Sequence, residues 1–166
     1  MKNAKPVSTP LANHFRLFAA QSPQSVEEEE YMVQVPYSSA IGSIMYAIVC
    51  TRSDISQAVS VVSRYMSHPG KTHWQAVKWI LRYLQGTSDA CMEFGKNRDT
   101  LVGFVNSDYA VDLDKRRSLT GYVFYVGGCA GKASLQPVVA LSTTEAEYMA
   151  VTEVVLSTMI VKVLFI

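Results

Sequence analysis

The chain is short of the features that announce most chemistries. It carries only three cysteines, Cys50, Cys91 and Cys129, odd in number and without a Cys-x-x-Cys pair. That argues against a disulfide framework or a thiolate metal knuckle and fits structural thiols in a reducing compartment. Charged residues make up 17% and the formal net charge is +1, so no global field draws the chain to nucleic acid. Any basic contact must come from a local cluster. No apolar run approaches the roughly 20 residues needed to span a bilayer. Met1–Pro10 is polar and interrupted by Pro6 and Pro10, unlike a secretory signal. There is no P-loop, no Rossmann glycine pattern, and no Ser-x-x-Lys or Gly-x-Ser-x-Gly nucleophile signature where one would matter. His14, His68 and His73 lack supporting ligands at metal spacing, so no metal is assigned to them. The expectation is a soluble, intracellular chain, cytoplasmic or nuclear, with no membrane partner.

What is present supports folding. Apolar residues reach 49% of 166, enough for a buried core in one domain or parts of two. A Pro-containing extended lead runs into Ser25, followed by Glu27–Glu30, where acids oppose the positive end of a helix. Three further helices are predicted. Tyr37–Val49 is rich in Ile, Met and Ala; a second segment, capped by Ser53 or Asp54, repeats Ile55, Val59, Val62 and Met66 at helical spacing. His68-Pro69-Gly70 breaks it. Thr72 then caps an amphipathic helix with Val77, Ile80, Leu81 and Leu84 inward and Lys71, Gln75, Lys78 and Arg82 outward, ended by Gly86. From Cys91 the pattern turns to short strands at Met92–Phe94, Leu101–Val105, Leu119–Val126 and Val138–Leu141, with a turn at Gly127-Gly128 and a helix from Thr143.

The chemistry concentrates in two acidic phrases. Asn106-Ser107-Asp108-Tyr109-Ala110-Val111-Asp112 closes a strand-like run. Glu145 and Glu147 open the last helix after a Ser/Thr cap. Two-metal phosphodiester hydrolysis needs several carboxylates converging on paired Mg²⁺ ions. Glu147 is the best single candidate; Glu145, rotated from it by about 200°, is expected to face solvent. Asp108, Asp112 and Asp114 read equally as ligands or turn residues. Lys115, Arg116 and Arg117 could touch a phosphate backbone or form a solvated hairpin loop. The stripe Lys71, Lys78 and Arg82, with Trp74 and Tyr83, could track nucleic acid or be an ordinary outer helix face.

Several phrases, in order, carry a family resemblance: Lys5-Pro-Val-Ser-Thr-Pro-Leu11, Tyr37-Ser-Ser-Ala-Ile-Gly-Ser-Ile-Met-Tyr46, Thr51-Arg-Ser-Asp-Ile55, His73-Trp-Gln-Ala-Val-Lys-Trp-Ile-Leu-Arg-Tyr-Leu-Gln-Gly-Thr87, Arg117-Ser-Leu-Thr-Gly-Tyr-Val123 and Leu141-Ser-Thr-Thr-Glu-Ala-Glu-Tyr148. Across nearly its whole length the chain resembles the C-terminal part of the Pol polyprotein of copia-type retrotransposons. The resemblance implies an α+β fold in three parts: an extended lead and acidic helix start over 1–36, a helical reverse transcriptase thumb/connection segment over 37–95, and an incomplete ribonuclease H-like mixed sheet with one helix over 96–166. It also implies hydrolysis of the RNA strand of RNA–DNA hybrids with Mg²⁺, with hybrid or DNA and the remainder of Pol as partners. The paired aspartates of the polymerase palm are not in this chain.

Residue by residue, the family's first metal-binding Asp falls on Asn106, its catalytic Glu on Glu147, and Asp108 matches a second acid that is not the main ligand. The third acid, expected on a strand after the helix, is missing from this sequence. Glu147 and, weakly, Asp108 would be the metal ligands. The resemblance further implies that Gly128–Ser134, shortened against the family's Ser-Trp-Lys phrase, disturbs its strand, and that the apolar tail Val154–Ile166 leaves apolar surface exposed. With an amide at 106, the chain is expected to be catalytically defective. The alternatives are a nucleic-acid-binding module, using Lys71, Lys78 and Arg82 with Lys115–Arg117, or a relic that folds poorly.

Overall fold

The computed structural model describes residues 4–50, 52–90, 102–125 and 129–164. They divide into two compact units, Met1–Met92 and Glu93–Ile166. Met92–Phe94, Leu101, Val126 and the Gly127-Gly128 turn lie outside the described residues.

The first unit is helical. Helix α1 (Val26–Val33) starts at Ser25, whose hydroxyl accepts the Glu28 N–H at 3.3 Å, with Glu27, Glu28 and Glu29 in the first turn. That places acids at the positive end of the helix, as the sequence predicts. Helix α2 (Tyr37–Cys50) turns Tyr37, Ile41 and Ile44 inward, one residue per turn of one face. A single 3₁₀ turn, Ser53–Ile55, leads into α3 (Ser56–Ser63), and Ile55, Val59 and Val62 are buried at the expected spacing. Because α3 ends at Ser63, Met66 falls off that face and is exposed. Asp54 does not cap α3. Its carboxylate takes both Arg52 Nε at 2.9 Å and Arg52 Nη2 at 2.7 Å.

Helix α4 (Lys71–Gly86) is capped by Gly70, not Thr72. The Gly70 N–H donates to His73 Nδ1 at 2.8 Å, so the buried imidazole takes the part a glutamate plays in a capping box. A Cβ at position 70 would strike the Gln21 carbonyl, so only glycine lets the chain pass there. Ala76, Val77 and Ile80 complete the core with α2 and α3, while Leu81 and Leu84 are partly buried against it. The lead lies along α4: Trp79 Nε1 donates to the Thr9 carbonyl at 2.9 Å and Arg82 Nε to the Lys5 carbonyl at 2.7 Å.

The second unit is a three-stranded sheet in the order β1 (Val102–Asp108), β2 (Leu119–Tyr125), β3 (Cys129–Leu135), followed by α5 (Thr143–Leu164). Both pairings are antiparallel. The fold is thus α+β, but the described sheet is antiparallel throughout rather than mixed. Asn106 sits opposite Gly121 and Asp108 opposite Leu119, while Ser107, Thr120 and Ser134 form one row across the sheet.

Two strand expectations are corrected. The strand expected to be disturbed over Gly128–Ser134 is regular from Cys129, its first described residue: Cys129–Leu135 pairs along its full length with β2. Its small residues are poor strand formers, but pairing overrides propensity, and the Gln136 N–H extends the ladder to the Ser118 carbonyl at 2.9 Å. Val138–Leu141, rich in β-formers, is not a strand. Pro137 has no N–H to donate, and no described strand lies alongside this run. Val138, Val139 and Leu141 are exposed, and the run is an irregular connection into α5. Among the described residues no helix is long and apolar enough to cross a membrane.

Candidate metal site and basic surfaces

Asn106 and Asp108 are two apart on β1 and therefore share one face of the sheet. Asn106 is exposed and Asp108 half-buried at the strand end. Glu147 is reached differently. The Ser142 hydroxyl accepts the Glu145 N–H at 3.1 Å, and Glu145 Oε2 accepts the Leu141 N–H at 2.7 Å, a reciprocal cap that starts α5. Glu145 is exposed, as expected, but its carboxylate is engaged in closing the helix end. Ala146 and Ala150 press inward, and Glu147 stands exposed about 100° around the helix from Ala146, at the border of the buried stripe.

What fixes α5 on the sheet is polar. Gln136, 1% exposed, donates through Nε2 to Thr120 Oγ1 at 3.2 Å and to the Ala146 carbonyl at 2.7 Å. Ser134 donates to Glu153 Oε1 at 2.9 Å, and Lys132 Nζ lies 3.7 Å from the same oxygen. The Ser107–Thr120–Ser134 row therefore faces α5. By strand alternation Asn106 and Asp108 lie on the other face. The two acidic phrases do not converge, and among the described residues no group of three His, Cys, Asp or Glu is placed to hold a metal ion. Gln136 and the Arg52–Asp54 pair escaped sequence reasoning. Lone polar residues in apolar surroundings carry no periodic signal, although a glutamine just before Pro137, at the end of a strand, was a usable hint.

The β1–β2 connection is tightly built. The Asp112 N–H donates to the Arg117 carbonyl at 3.1 Å, and the Arg116 N–H to the Asp112 carbonyl at 2.7 Å. Asp112 is 3% exposed, and its Oδ1 accepts the Asp114 N–H at 3.2 Å, an Asx turn rather than an outward-facing metal ligand. Arg116 has φ 58 and Ala110 φ 49, left-handed values that cost a residue with a Cβ roughly 1–2 kcal/mol. Lys115 and Arg116 are exposed and Arg117 half-buried.

The stripe on α4 is used internally at two of its positions. Lys71 Nζ lies 3.4 Å from Glu28 Oε1 and 5.5 Å from the centre of the Tyr31 ring. The Glu28 carboxyl is held below its ordinary value by the Gln24 N–H first and by Lys71 second. Arg82, bonded to the Lys5 carbonyl, also covers the Trp79 ring at 5.2 Å. Lys78 is half-buried. Trp74 packs partly into the core, and the Tyr83 hydroxyl donates to Asp54 Oδ2 at 2.8 Å. Arg52, besides gripping Asp54, donates to the Thr87 carbonyl at 3.1 Å and to Thr87 Oγ1 at 2.8 Å, tying the end of α4 to the α2–α3 junction.

A four-helix unit and an antiparallel sheet carrying one long helix define an α+β chain in which acids on a strand and a helix are presented separately. Comparison with known proteins gives its relatives. The chain is 58% identical over 155 residues to the retrovirus-related Pol polyprotein from transposon TNT 1-94 of Nicotiana tabacum, covering 92% of this chain and 12% of that protein. It is 36% identical to the Pol polyprotein from transposon RE2 of Arabidopsis thaliana, over 91% of this chain and 10% of the relative. It is 49% identical over 125 residues to secreted RxLR effector protein 161 of Plasmopara viticola, over 74% of this chain and 88% of the relative. The chain is similar to a segment of retrotransposon Pol polyproteins and spans about a tenth of the length of the Pol relatives named. No family model matches it, and no solved structure does.

Proposed function

We propose that residues 96–166 are a ribonuclease H-like unit of a Pol polyprotein that does not hydrolyse RNA, preceded over 37–95 by a reverse transcriptase thumb/connection-like unit. The reading of the two parts rests on the ordered phrases from Lys5 to Tyr148. The loss of hydrolysis rests on one observation: position 106, where that reading requires a metal-binding carboxylate, is an asparagine on an otherwise regular strand. A neutral amide does not supply the charge that a Mg²⁺ pair draws from converging acids. Asp108, beside it, and Glu147, on the other side of the sheet, do not make up the deficit. These donors do not fit a two-ion centre, and no catalytic step is derived through one.

Incubation of the purified chain with an RNA–DNA hybrid and Mg²⁺ or Mn²⁺ tests this. No metal-dependent cleavage of the RNA strand is expected, and robust cleavage overturns the proposal. Asn106→Asp alone is expected to leave the chain inactive, because the restored carboxylate still stands on the face away from α5. The partners this reading names are a hybrid duplex and the remainder of Pol.

A further inference from the structure

The lead, residues 4–11, is fastened to α4 through its carbonyls alone. It forms neither helix nor strand, and Lys5, Pro6, Ser8 and Thr9 are exposed. Among the described residues no backbone–backbone hydrogen bond reaches it, and Pro6 and Pro10 have no N–H to give. Its hydrogen bonds come from two side chains of α4: Trp79 Nε1 donates to the Thr9 carbonyl at 2.9 Å and Arg82 Nε to the Lys5 carbonyl at 2.7 Å. Both donors are held in place by their neighbours. Phe15 meets the Trp79 ring edge-on at 5.7 Å, and the Arg82 guanidinium lies 5.2 Å from the centre of that ring.

Gly86 completes the seat. It is the last residue of α4, and a Cβ there would run into the Pro6 ring. The missing side chain therefore lets a pyrrolidine close onto the helix. This face of α4 reads two carbonyls four residues apart, with a proline directly after the first. None of that depends on the identity of Lys5, Ser8 or Thr9. Leu11, by contrast, packs against the core, so the part that can exchange ends before it.

We infer that the Trp79–Arg82–Gly86 face of α4 is a docking groove for an irregular, proline-containing peptide of a partner protein, and that the lead is its tethered occupant, displaced when the partner binds. Indole and guanidinium donors beside an aromatic wall suit a chain whose carbonyls are not spent in regular structure. Proline keeps the ordering cost of such a peptide low, because its φ is already fixed. The groove lies in the first unit and stands apart from the ribonuclease H-like reading of the second.

The test is fluorescence anisotropy of a labelled peptide with the sequence Ala4–Leu11, titrated with the full chain. Pro6→Gly with Pro10→Gly in the chain loosens the strap by giving it more freedom to lose. Peptide binding should then tighten about tenfold, the factor for opening a groove closed in roughly nine molecules of ten. In that loosened chain, Arg82→Gln or Gly86→Ala should reverse the gain, with helical circular dichroism unchanged. A peptide carrying glycine in place of both prolines should bind several-fold more weakly. In the unaltered chain, excess peptide should shift the NMR resonance of the Trp79 indole N–H and leave that of Trp74 in place. Equal affinity in the unaltered and loosened chains, a gain that survives both Arg82→Gln and Gly86→Ala, or an unmoved Trp79 resonance overturns the proposal. So does a chain that dimerises by exchanging leads and takes up no peptide.

Discussion

Asp54 shows how one carboxylate can carry a junction. Arg52 holds its carboxyl below the ordinary value, with the Tyr83 hydroxyl adding to the effect against partial burial. A group whose value is depressed on folding contributes stability above its unfolded value, near 3.9, and that contribution is lost as pH falls through the folded value. Acid titration of the first unit, followed by helical circular dichroism, should therefore show loss of structure below about pH 4 that Asp54→Asn makes shallower while lowering stability at neutral pH. Gly70 sets a second constraint on a single residue. Gly70→Ala must displace the Gln21 carbonyl or the start of α4, and the expected loss is about 1–3 kcal/mol by chemical denaturation. Neither role was legible in the sequence. Asp54 reads as a helix cap, and Gly70 reads as punctuation after Pro69. Asp54 is held first by Arg52 and then by Tyr83, which is distant in sequence, and Gly70 is fixed by the distant Gln21.

At the scale of elements, legibility followed periodicity. The repeats Ile55–Val59–Val62 and Val77–Ile80 are read in the sequence and are the buried stripes of the turn with α3 and of α4, whereas α2, predicted from its Ile, Met and Ala content, buries Tyr37, Ile41 and Ile44. Ile80→Ala, emptying the centre of that contact, should cost about 2–5 kcal/mol. Where a short strand had to be read, the signal misled. Val138–Leu141 has the composition of a strand and, among the described residues, no strand beside it, whereas Cys129–Leu135 has a weak composition and a full ladder. Strand formation is decided between segments, which a single stretch of sequence cannot display. The same holds for the candidate site: the positions of Asn106, Asp108 and Glu147 could be named from motif, but their placement on opposite sides of the sheet depended on which face α5 covers. Ser142 was legible as a cap, and Ser142→Ala should cost about 1 kcal/mol in the second unit, read as a lowered thermal midpoint.

For the molecule as a whole, the outward side of α5 matters most. Tyr148, Val151, Val155 and Leu156 are exposed on one long helix; Val155 and Leu156 belong to the tail from Val154 for which apolar surface is anticipated, and Tyr148 and Val151 precede it. Contiguous apolar surface of this kind drives self-association. Val151→Lys with Val155→Lys should reduce concentration-dependent light scattering without altering helical content, and an unchanged scattering profile would show that this surface is not the cause.

The interior beneath that helix is of another kind. Gln136, Thr120, Ser118 and Ser107 occupy the space where branched aliphatic side chains would ordinarily sit, and Gln136 Oε1 and Ser107 Oγ have no protein partner there. Hydrating amides and hydroxyls on unfolding lowers the heat-capacity increment that apolar groups raise. Residues 102–164 are therefore expected to melt with a flatter stability curve than the aliphatic helical unit, losing less of their stability on cooling. In scanning calorimetry the two units would trace transitions of different curvature from one polypeptide.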